Sequence, residues 1–471
     1  MSLMKAAAWM LFGRWAFYFV TLISFSLIVR FISTEAYGVY VIAATFLIFS
    51  DVFFADAVEN AIVRNSGLTS EVARSSFRVV SAFSVVIGVV VALLGIPLSY
   101  LYDMHELLGL MVGVGVVVII QGFASVPRSL LLREKRARLY ALLSGASNLL
   151  GAIVGVGSAY LGFEAWSLLI QQGVLQLALF GLCSYSAHYR PSIRSDREIA
   201  AELTGFIRTS LWSCLLNVFA NRLDVIFLGV WFGSGVVGVY GLAKRLIQIL
   251  QELVGSSFDK ALVSFKRGGQ GSSELVYRKS VVAQSIVLFP AFAGFALIGS
   301  ELISLVFGKN WLNAAGLVAL MVVGGIFRSM VTIERAELVV VGRAGTILRT
   351  RIFETILGLI VVVPFARYGG EWMALGFSLR YVIGYLMVVW SKGNSFSDFF
   401  DCIGSTLGWV LPSFVATVAM CCAGWILKAY LYQRFSEVWI VLGVVFIISA
   451  FAYLLVLLAF RSRILKSLRE V

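Results

Sequence analysis

Fourteen apolar runs, each about the length of a membrane-spanning helix, fill most of the chain and leave only short polar joints between them. They fall at about 8–30, 38–60, 78–101, 107–127, 141–161, 165–184, 206–231, 237–262, 281–304, 313–333, 350–366, 370–390, 407–428 and 437–460. A helix needs roughly 20 apolar residues to cross the hydrocarbon, and lipid offers no partner to an unsatisfied backbone group. Spanning strands would be about 10 residues long and alternate in polarity, which these runs do not. The pattern predicts an all-α polytopic membrane protein with 14 transmembrane helices. Of 471 residues, 60% are hydrophobic and 13% charged, against about 25% charged in a typical soluble domain. A mean hydropathy of +0.93 excludes a surface that faces water on all sides. The longest polar stretch, about 184–202, is too short for a nucleotide-binding domain, and no GxxxxGK[ST] sequence occurs. Uphill movement would need another component, an ion gradient or downstream consumption.

Lys plus Arg is 38 and Asp plus Glu 25, a net charge of +13. In a membrane protein the first meaning of such an excess is the cytoplasmic bias of Lys and Arg, not nucleic acid as a partner. The alternate joints bear this out, with Arg64, Arg74 and Arg78, then Arg128, Arg133, Lys135, Arg136 and Arg138, then Arg190, Arg194 and Arg197. Lys260, Lys266, Arg267, Arg278 and Lys279 follow, then Arg335, Arg343 and Arg349, then Lys392, and finally Arg461, Arg463, Lys466 and Arg469. The other side holds only Arg30, Lys309, Arg367, Lys428 and Arg434. This alternation expects both termini in the cytoplasm, with the first apolar run retained as a span and not cleaved as a signal peptide. The stretch from Arg133 to Arg138 is expected to meet anionic membrane lipids. Five cysteines without paired spacing read as small hydrophobes. Two distant histidines predict no metal site, and nothing calls for a cofactor.

An internal repeat is legible. Glu35-Ala-Tyr-Gly-Val-Tyr40 is echoed by Val236-Val-Gly-Val-Tyr240, at an offset of 200 between Gly38 and Gly238. Gly162-Phe-Glu-Ala-Trp-Ser-Leu168 matches Gly369-Gly-Glu-Trp-Met-Ala-Leu375 at an offset of 207, which also sets Arg136-Ala137 on Arg343-Ala344. Two six-helix lobes, 1–200 and 201–400, are expected, followed by two further helices and a tail in 401–471. An even number of spans per half makes the repeats parallel, and a cleft between them is the natural path for alternating access. Gly109-x-x-x-Gly113 and Gly151-x-x-x-Gly155 would let helices approach closely.

Charges inside spans cost a few kcal/mol each and face a cavity or a partner. Arg14 lies about seven residues into the first run, either snorkelling to the interface or facing a cavity. Asn221-Arg-Leu-Asp224 sits within the seventh run, where Arg222 and Asp224 are close enough in sequence to pair. Lys244, Arg245, Gln248 and Glu252 form a polar stripe on the eighth, and Arg380 lies in the twelfth beside Tyr381. Asp51, Asp56 and Glu59, in the span equivalent to the eighth, are candidates with Asp224 and Glu252 for charge balance or for coupling to a proton or monovalent cation. Arg328 and Glu354 lie nearer the ends of their runs. The cations Arg14, Arg222, Lys244, Arg245 and Arg380 together suggest an electropositive cavity that binds an amphiphilic anion through its phosphate or diphosphate.

Three segments carry a family likeness: Arg30-Phe-Ile-Ser-Thr-Glu-Ala-Tyr-Gly-Val-Tyr40, Gly162-Phe-Glu-Ala-Trp-Ser-Leu168, and Asn221-Arg-Leu-Asp-Val-Ile-Phe-Leu-Gly229 running into Gly238-Val-Tyr-Gly-Leu-Ala-Lys-Arg245. With these the chain resembles the bacterial oligosaccharide flippases of the polysaccharide biosynthesis transporter family, in the multidrug/oligosaccharidyl-lipid/polysaccharide exporter superfamily. The resemblance implies a V-shaped, MATE-like pair of six-helix lobes plus two helices in the bacterial cytoplasmic (inner) membrane. It implies a polyprenyl-diphosphate-linked oligosaccharide as substrate, with a polysaccharide polymerase and chain-length proteins as partners. Many members place an aspartate directly before the arginine of the seventh-span motif, where this chain reads Asn-Arg-Leu-Asp. Competing readings are a cation-coupled drug or metabolite exporter, which needs an acid-dominated cavity, and a membrane-embedded polymerase or glycosyltransferase, which needs a large exterior loop. A purely structural role would need no buried charge stripe.

Overall fold

The computed structural model describes residues 3–54, 70–134, 136–189, 197–267, 273–341, 343–393, 396–434 and 438–462. Those residues form thirteen α-helices and one short 3-10 turn, Lys309–Trp311. The helices are α1 (Leu3–Phe31), α2 (Thr34–Phe53), α3 (Ser70–Tyr102), α4 (His105–Arg133), α5 (Ala137–Tyr160), α6 (Ala165–Ser186) and α7 (Arg197–Arg267). There follow α8 (Ser273–Val306), α9 (Asn313–Val341), α10 (Ala344–Ala366), α11 (Gly370–Trp390), α12 (Phe396–Leu431) and α13 (Val438–Ala459). Eleven are long and apolar enough to cross a membrane. Of α1, Phe17–Phe31 is a shorter apolar segment. Helix α10 is not among the eleven and carries Arg349, Arg351 and Glu354 in its first three turns.

The seventh and eighth apolar runs form two helices that meet at a kink without a polar loop, at Gly233, whose φ of 75° and ψ of −178° are not helical; the 71 residues are labelled together as α7. At 1.5 Å per residue an unbroken helix of that length would extend roughly 105 Å, far beyond a hydrocarbon core of about 30 Å. A break is therefore required, and glycine supplies the left-handed φ without a Cβ clash.

The chain divides into two compact units, Met1–Gly238 and Val239–Val471. In the first, α4 packs on α3, α2 and α6, while α5 lies against α6 and α1. Its interior is joined by neutral polar groups. Asn148 Nδ2 donates to the Phe17 carbonyl at 3.1 Å and to Thr21 Oγ1 at 3.0 Å. Gln171 Nε2 donates to Ser24 Oγ at 3.0 Å. Gly151 and Gly155 both receive Gln171 of α6, the close approach expected of their spacing. In the second unit, α9 packs on α11 and α8, and α12 on α8 and α13.

The offset found in the sequence has structural counterparts. Arg136 stands at the N-cap of α5 and donates from Nη1 to the Ser186 carbonyl, at 3.0 Å, where α6 ends. Arg343 stands at the N-cap of α10 and donates from Nη1 to the Lys392 carbonyl, at 3.1 Å, just past α11. Gly162 and Gly369, which precede α6 and α11, both have positive φ.

Gly38 and Gly238 meet. A Cβ on Gly38 would lie 1.8 Å from the carbonyl oxygen of Ser234, and one on Gly238 would lie 2.0 Å from that of Thr34. Because residues 34 and 234, like 38 and 238, are equivalent in the repeat, the contact is reciprocal: each copy of the motif packs on the other. Any side chain must push backbone from backbone, so Gly38→Ala should cost about 3 kcal/mol and lower the thermal midpoint of the detergent-solubilised protein by several degrees. Gly157→Ala, where nothing lies within 4 Å of the added carbon, should leave the midpoint unchanged or raise it.

Candidate functional site

After the break at Gly233, α7 resumes as a helix and carries its polar stripe inward. Lys244 is only 4% exposed, and its ammonium lies 5.9 Å from the centre of the Tyr240 ring, itself fully buried. The electron-rich ring face stabilises a cation that burial would otherwise penalise. One residue on, Arg245 Nη1 lies 3.6 Å from Glu252 Oε1, two turns along the same helix and about a third exposed. Gln251 donates from Nε2 to the Gly325 carbonyl at 3.0 Å, tying this arm to α9. Before the break, Asp224 is buried and accepts the Val225 N–H at 2.9 Å, while Arg222 is half-buried.

The acidic candidates of α2 are less informative. Asp51, at the exposed end of the helix, accepts from Gln121 Nε2 at 2.9 Å, and Ser50 Oγ donates to Gln121 Oε1 at 2.5 Å. Asp56 and Glu59 lie outside the described residues, as does the side chain of Arg14.

Arg380, in α11, is 8% exposed and faces α10. A Cβ on Gly358 would stand 3.1 Å from both Cζ and Nε of Arg380, so the place of the missing side chain is taken by the guanidinium. Its Cζ lies 5.6 Å from the centre of the Tyr381 ring. Arg328 of α9, half-buried, reaches the same ring at 5.5 Å. The two charges are thus no more than about 11 Å apart, the sum of those distances.

A second charged cluster joins the far ends of α9 and α11 to the starts of α8, α10 and α12. Lys392 Nζ is paired with both Glu334 and Glu337, and Tyr277 donates its hydroxyl to Glu334. The ammonium also lies 4.6 Å from the Tyr277 ring centre. Beside it, Arg335 Nη2 meets Glu354 Oε2 at 2.6 Å. A cavity of about 10 Å³, room for one water molecule, is lined by Gln284, Ser285, Ser329, Glu334, Tyr385 and Thr406. Burial disfavours the Lys392 ammonium, but the carboxylates of Glu334 and Glu337 outweigh it and hold its pKa above the ordinary lysine value.

Reading apolar runs missed this cluster. The tenth run ends at 333, so Glu334 and Glu337 counted as loop, whereas α9 continues to Val341. The signal was present: Leu338-Val-Val-Val341 resumes the apolar pattern after the two acids. Among the described residues no group of three or more His, Cys, Asp or Glu side chains could hold a metal ion.

Because the folded-state pKa of Lys392 is raised, its pairing contributes fully below the ordinary lysine pKa of about 10.4 and is lost as pH rises through the folded value. The thermal midpoint should therefore fall above about pH 10, with a smaller fall in Lys392→Arg, whose guanidinium stays charged. Lys392→Met, which leaves Glu334 and Glu337 without their cation, should cost about 3–5 kcal/mol at pH 7.

Comparison with known proteins places this arrangement. The chain is 24% identical to the succinoglycan biosynthesis transport protein ExoT of Rhizobium meliloti over 67% of its own length, and spans 65% of that protein. It is 20% identical to the lipopolysaccharide biosynthesis protein WzxC of Escherichia coli over 87% of this chain and 85% of that one. In fold it is similar to the lipid II flippase MurJ in its inward closed conformation, with a TM-score of 0.75, 14% identity, and coverage of 97% of this chain and 99% of that one. Residues 27–316, more than half of the chain, match the family described as polysaccharide biosynthesis protein, and the chain belongs to that family.

Proposed function

We propose that this protein moves a polyprenyl-diphosphate-linked oligosaccharide from the cytoplasmic to the outer leaflet of the bacterial inner membrane, for cell-surface polysaccharide synthesis. It does so as a transporter and not as an enzyme. Fourteen crossings, arranged as lobes 1–200 and 201–400 with two helices in 401–471, leave both termini in the cytoplasm. The lobes rock between inward- and outward-open states, and consumption of the lipid-linked sugar by a polymerase and its chain-length partners draws the cycle forward.

The observation that carries this reading is cationic side chains buried within helices long and apolar enough to cross a membrane. Lys244 is buried over an aromatic ring, and Arg380 is buried in the middle of its span. A diphosphate in hydrocarbon without partners costs several kcal/mol or more, and Arg and Lys lower that barrier by pairing with its oxygens. Arg14 and Arg222 are assigned to the same set from their places within apolar runs of the sequence. Among the described residues, several acids of the second unit already have cationic partners, which counts against a cationic drug as substrate. Glu252 is paired with Arg245, Glu354 with Arg335, Glu334 and Glu337 with Lys392, and Glu301 with Lys428.

The test is leaflet translocation in reconstituted vesicles of an oligosaccharide linked to polyprenyl diphosphate. The wild-type protein should carry it. Arg222→Ala and the double variant Lys244→Ala/Arg245→Ala should slow it by about tenfold or more, the loss of one charge-assisted contact being worth roughly 1.5–3 kcal/mol. Properly inserted wild-type protein that leaves the probe in its original leaflet would remove the proposal.

A further inference from the structure

Helix α10 has two unlike sides. One, with Thr350, Glu354, Val361, Val362 and Ala366, is buried and packs on α11, where Glu354 lies against Gly384. The other is apolar and exposed through Ile352, Phe353, Ile356 and Ile360. In a chain built of membrane-spanning helices, an exposed apolar stripe of this length faces lipid. At 3.6 residues per turn Arg349 shares that side, and so does Gly345 one turn before it. Of the charges in the first three turns, Glu354 is met by Arg335. Arg349 is exposed and has no hydrogen bond or ion pair among the described residues.

Its place along the helix gives its depth. Arg349 stands 17 residues before Ala366, or roughly 26 Å at 1.5 Å per residue, within a hydrocarbon core of about 30 Å. The offset of 207 that sets Arg136 on Arg343 also sets Gln121 on Arg328, Arg138 on Gly345 and Leu142 on Arg349. Arg138 stands 21 residues before Ala159, the equivalent of Ala366, or roughly 32 Å, just outside such a core. A basic residue that only sets the orientation of a span is satisfied at the head-group level, where Arg138 stands. The second unit gives that place to glycine and carries its arginine one turn deeper, where the first unit has the exposed Leu142.

Helical side chains lean toward the N-terminus, so the Arg349 guanidinium is directed over the turn that holds Gly345. That turn is bare, since a Cβ at Gly345 would meet nothing within 4 Å. An arginine that faces lipid from below the head groups extends its apolar stem upward, and the group it reaches is a phosphate, whose oxygens fit the guanidinium fork. We propose that Arg349, with the bare turn at Gly345, docks the head group of an anionic phospholipid whose acyl chains run along Phe353, Ile356 and Ile360. One unpaired arginine matches one phosphate diester, and a zwitterionic lipid, which carries its own ammonium, has less to gain. The lipid supplies to α10 from outside what Arg335 supplies to Glu354 from within, a counter-charge for a polar first half of a helix.

The experiment counts lipids retained by the full chain in native mass spectrometry, released from micelles that contain phosphatidylglycerol or phosphatidylcholine with the same acyl chains. The wild type should prefer phosphatidylglycerol. Arg349→Leu, which installs the first unit's residue, should retain one fewer, with affinity for that lipid about tenfold weaker and an unchanged thermal midpoint in phosphatidylcholine. Arg349→Lys should keep most of the affinity, and Gly345→Leu should weaken it severalfold with the charge intact. Gly345→Arg/Arg349→Leu, which keeps the net charge but moves it to the level of Arg138, should bind as poorly as Arg349→Leu. Unchanged retention in Arg349→Leu, or a wild type without preference between the two lipids, overturns the site. Wild-type retention by the double variant overturns it as well, leaving only general attraction to head groups. A lower midpoint of Arg349→Leu in phosphatidylcholine assigns the arginine to the fold and overturns the site. Polyprenyl diphosphate that displaces one phosphatidylglycerol from the wild type and none from Arg349→Leu gives the surface to that lipid instead, and a changed subunit number in Arg349→Leu gives it to a second copy of the chain; either result overturns the phospholipid assignment.

Discussion

A charge at the depth of the hydrocarbon must be compensated by the protein, because lipid will not do it. Much of this chain's interior follows from how that demand is met. The first unit buries Arg128 and Asp224, and also joins helices through amides and hydroxyls: Asn148 bonds to Phe17 and Thr21, and Gln171 to Ser24. Such neutral bonds hold helices together without the desolvation cost of an ion. The second unit balances buried ions across helices. Lys392 is set between two acids of α9 and the ring and hydroxyl of α8, and Arg335 bridges to α10. At the opposite end of the bundle, Lys428 and the Tyr432 hydroxyl both bind Glu301. Residues of five helices, α8 to α12, are thereby tied together, and Arg328 and Arg380 both lie near the Tyr381 ring.

Much of the helical layout was legible in the sequence because each crossing is a long apolar run, and run length is a physical requirement of the bilayer. The observed α5, α6 and α11 depart from the expected runs at 141–161, 165–184 and 370–390 by no more than four residues. The joint between the seventh and eighth runs is marked in the sequence by the dip in hydropathy over Gly233-Ser-Gly235, and a single left-handed residue, Gly233, suffices to separate the two helices. Charged partners are a harder matter. That Glu334 and Glu337 share a helix face is readable from their spacing, but that Lys392 and Tyr277 arrive beside them depends on how α8, α9 and α11 pack, which no periodicity in one helix encodes. The same holds for Arg328, whose neighbour Tyr381 is 53 residues away.

The repeat supplied information that hydropathy could not. Arg136 and Arg343 were matched only by offset, yet each stands at the N-cap of one helix and donates to a carbonyl at or just past the end of the following helix. The Gly-Val-Tyr echo has a stronger meaning. In a reciprocal contact each position is both the surface and the partner, so one steric requirement falls on both copies. Backbone oxygens 1.8 and 2.0 Å from the absent Cβ atoms leave no residue but glycine at 38 or 238 without displacement of a helix. The last stretch of the first unit, up to Gly238, belongs to it through this contact with α2, although the helix that begins after Gly233 continues beyond it.

Equivalent positions that touch one another are thus held alike, while equivalent positions that face different surroundings are free to differ. Gln121 and Arg328 show the second case. Gln121 spans Ser50 and Asp51, and the position 200 residues after Asp51 is Gln251, which already bonds to the Gly325 backbone of α9. The tie between the second helix of each half and the fourth is kept by a different donor, which releases residue 328 from that duty. An arginine can then occupy it and reach Tyr381 without loss of the packing that Gln121 secures in the first unit. The second half thus carries a charge at a position where the scaffold has another way to hold itself.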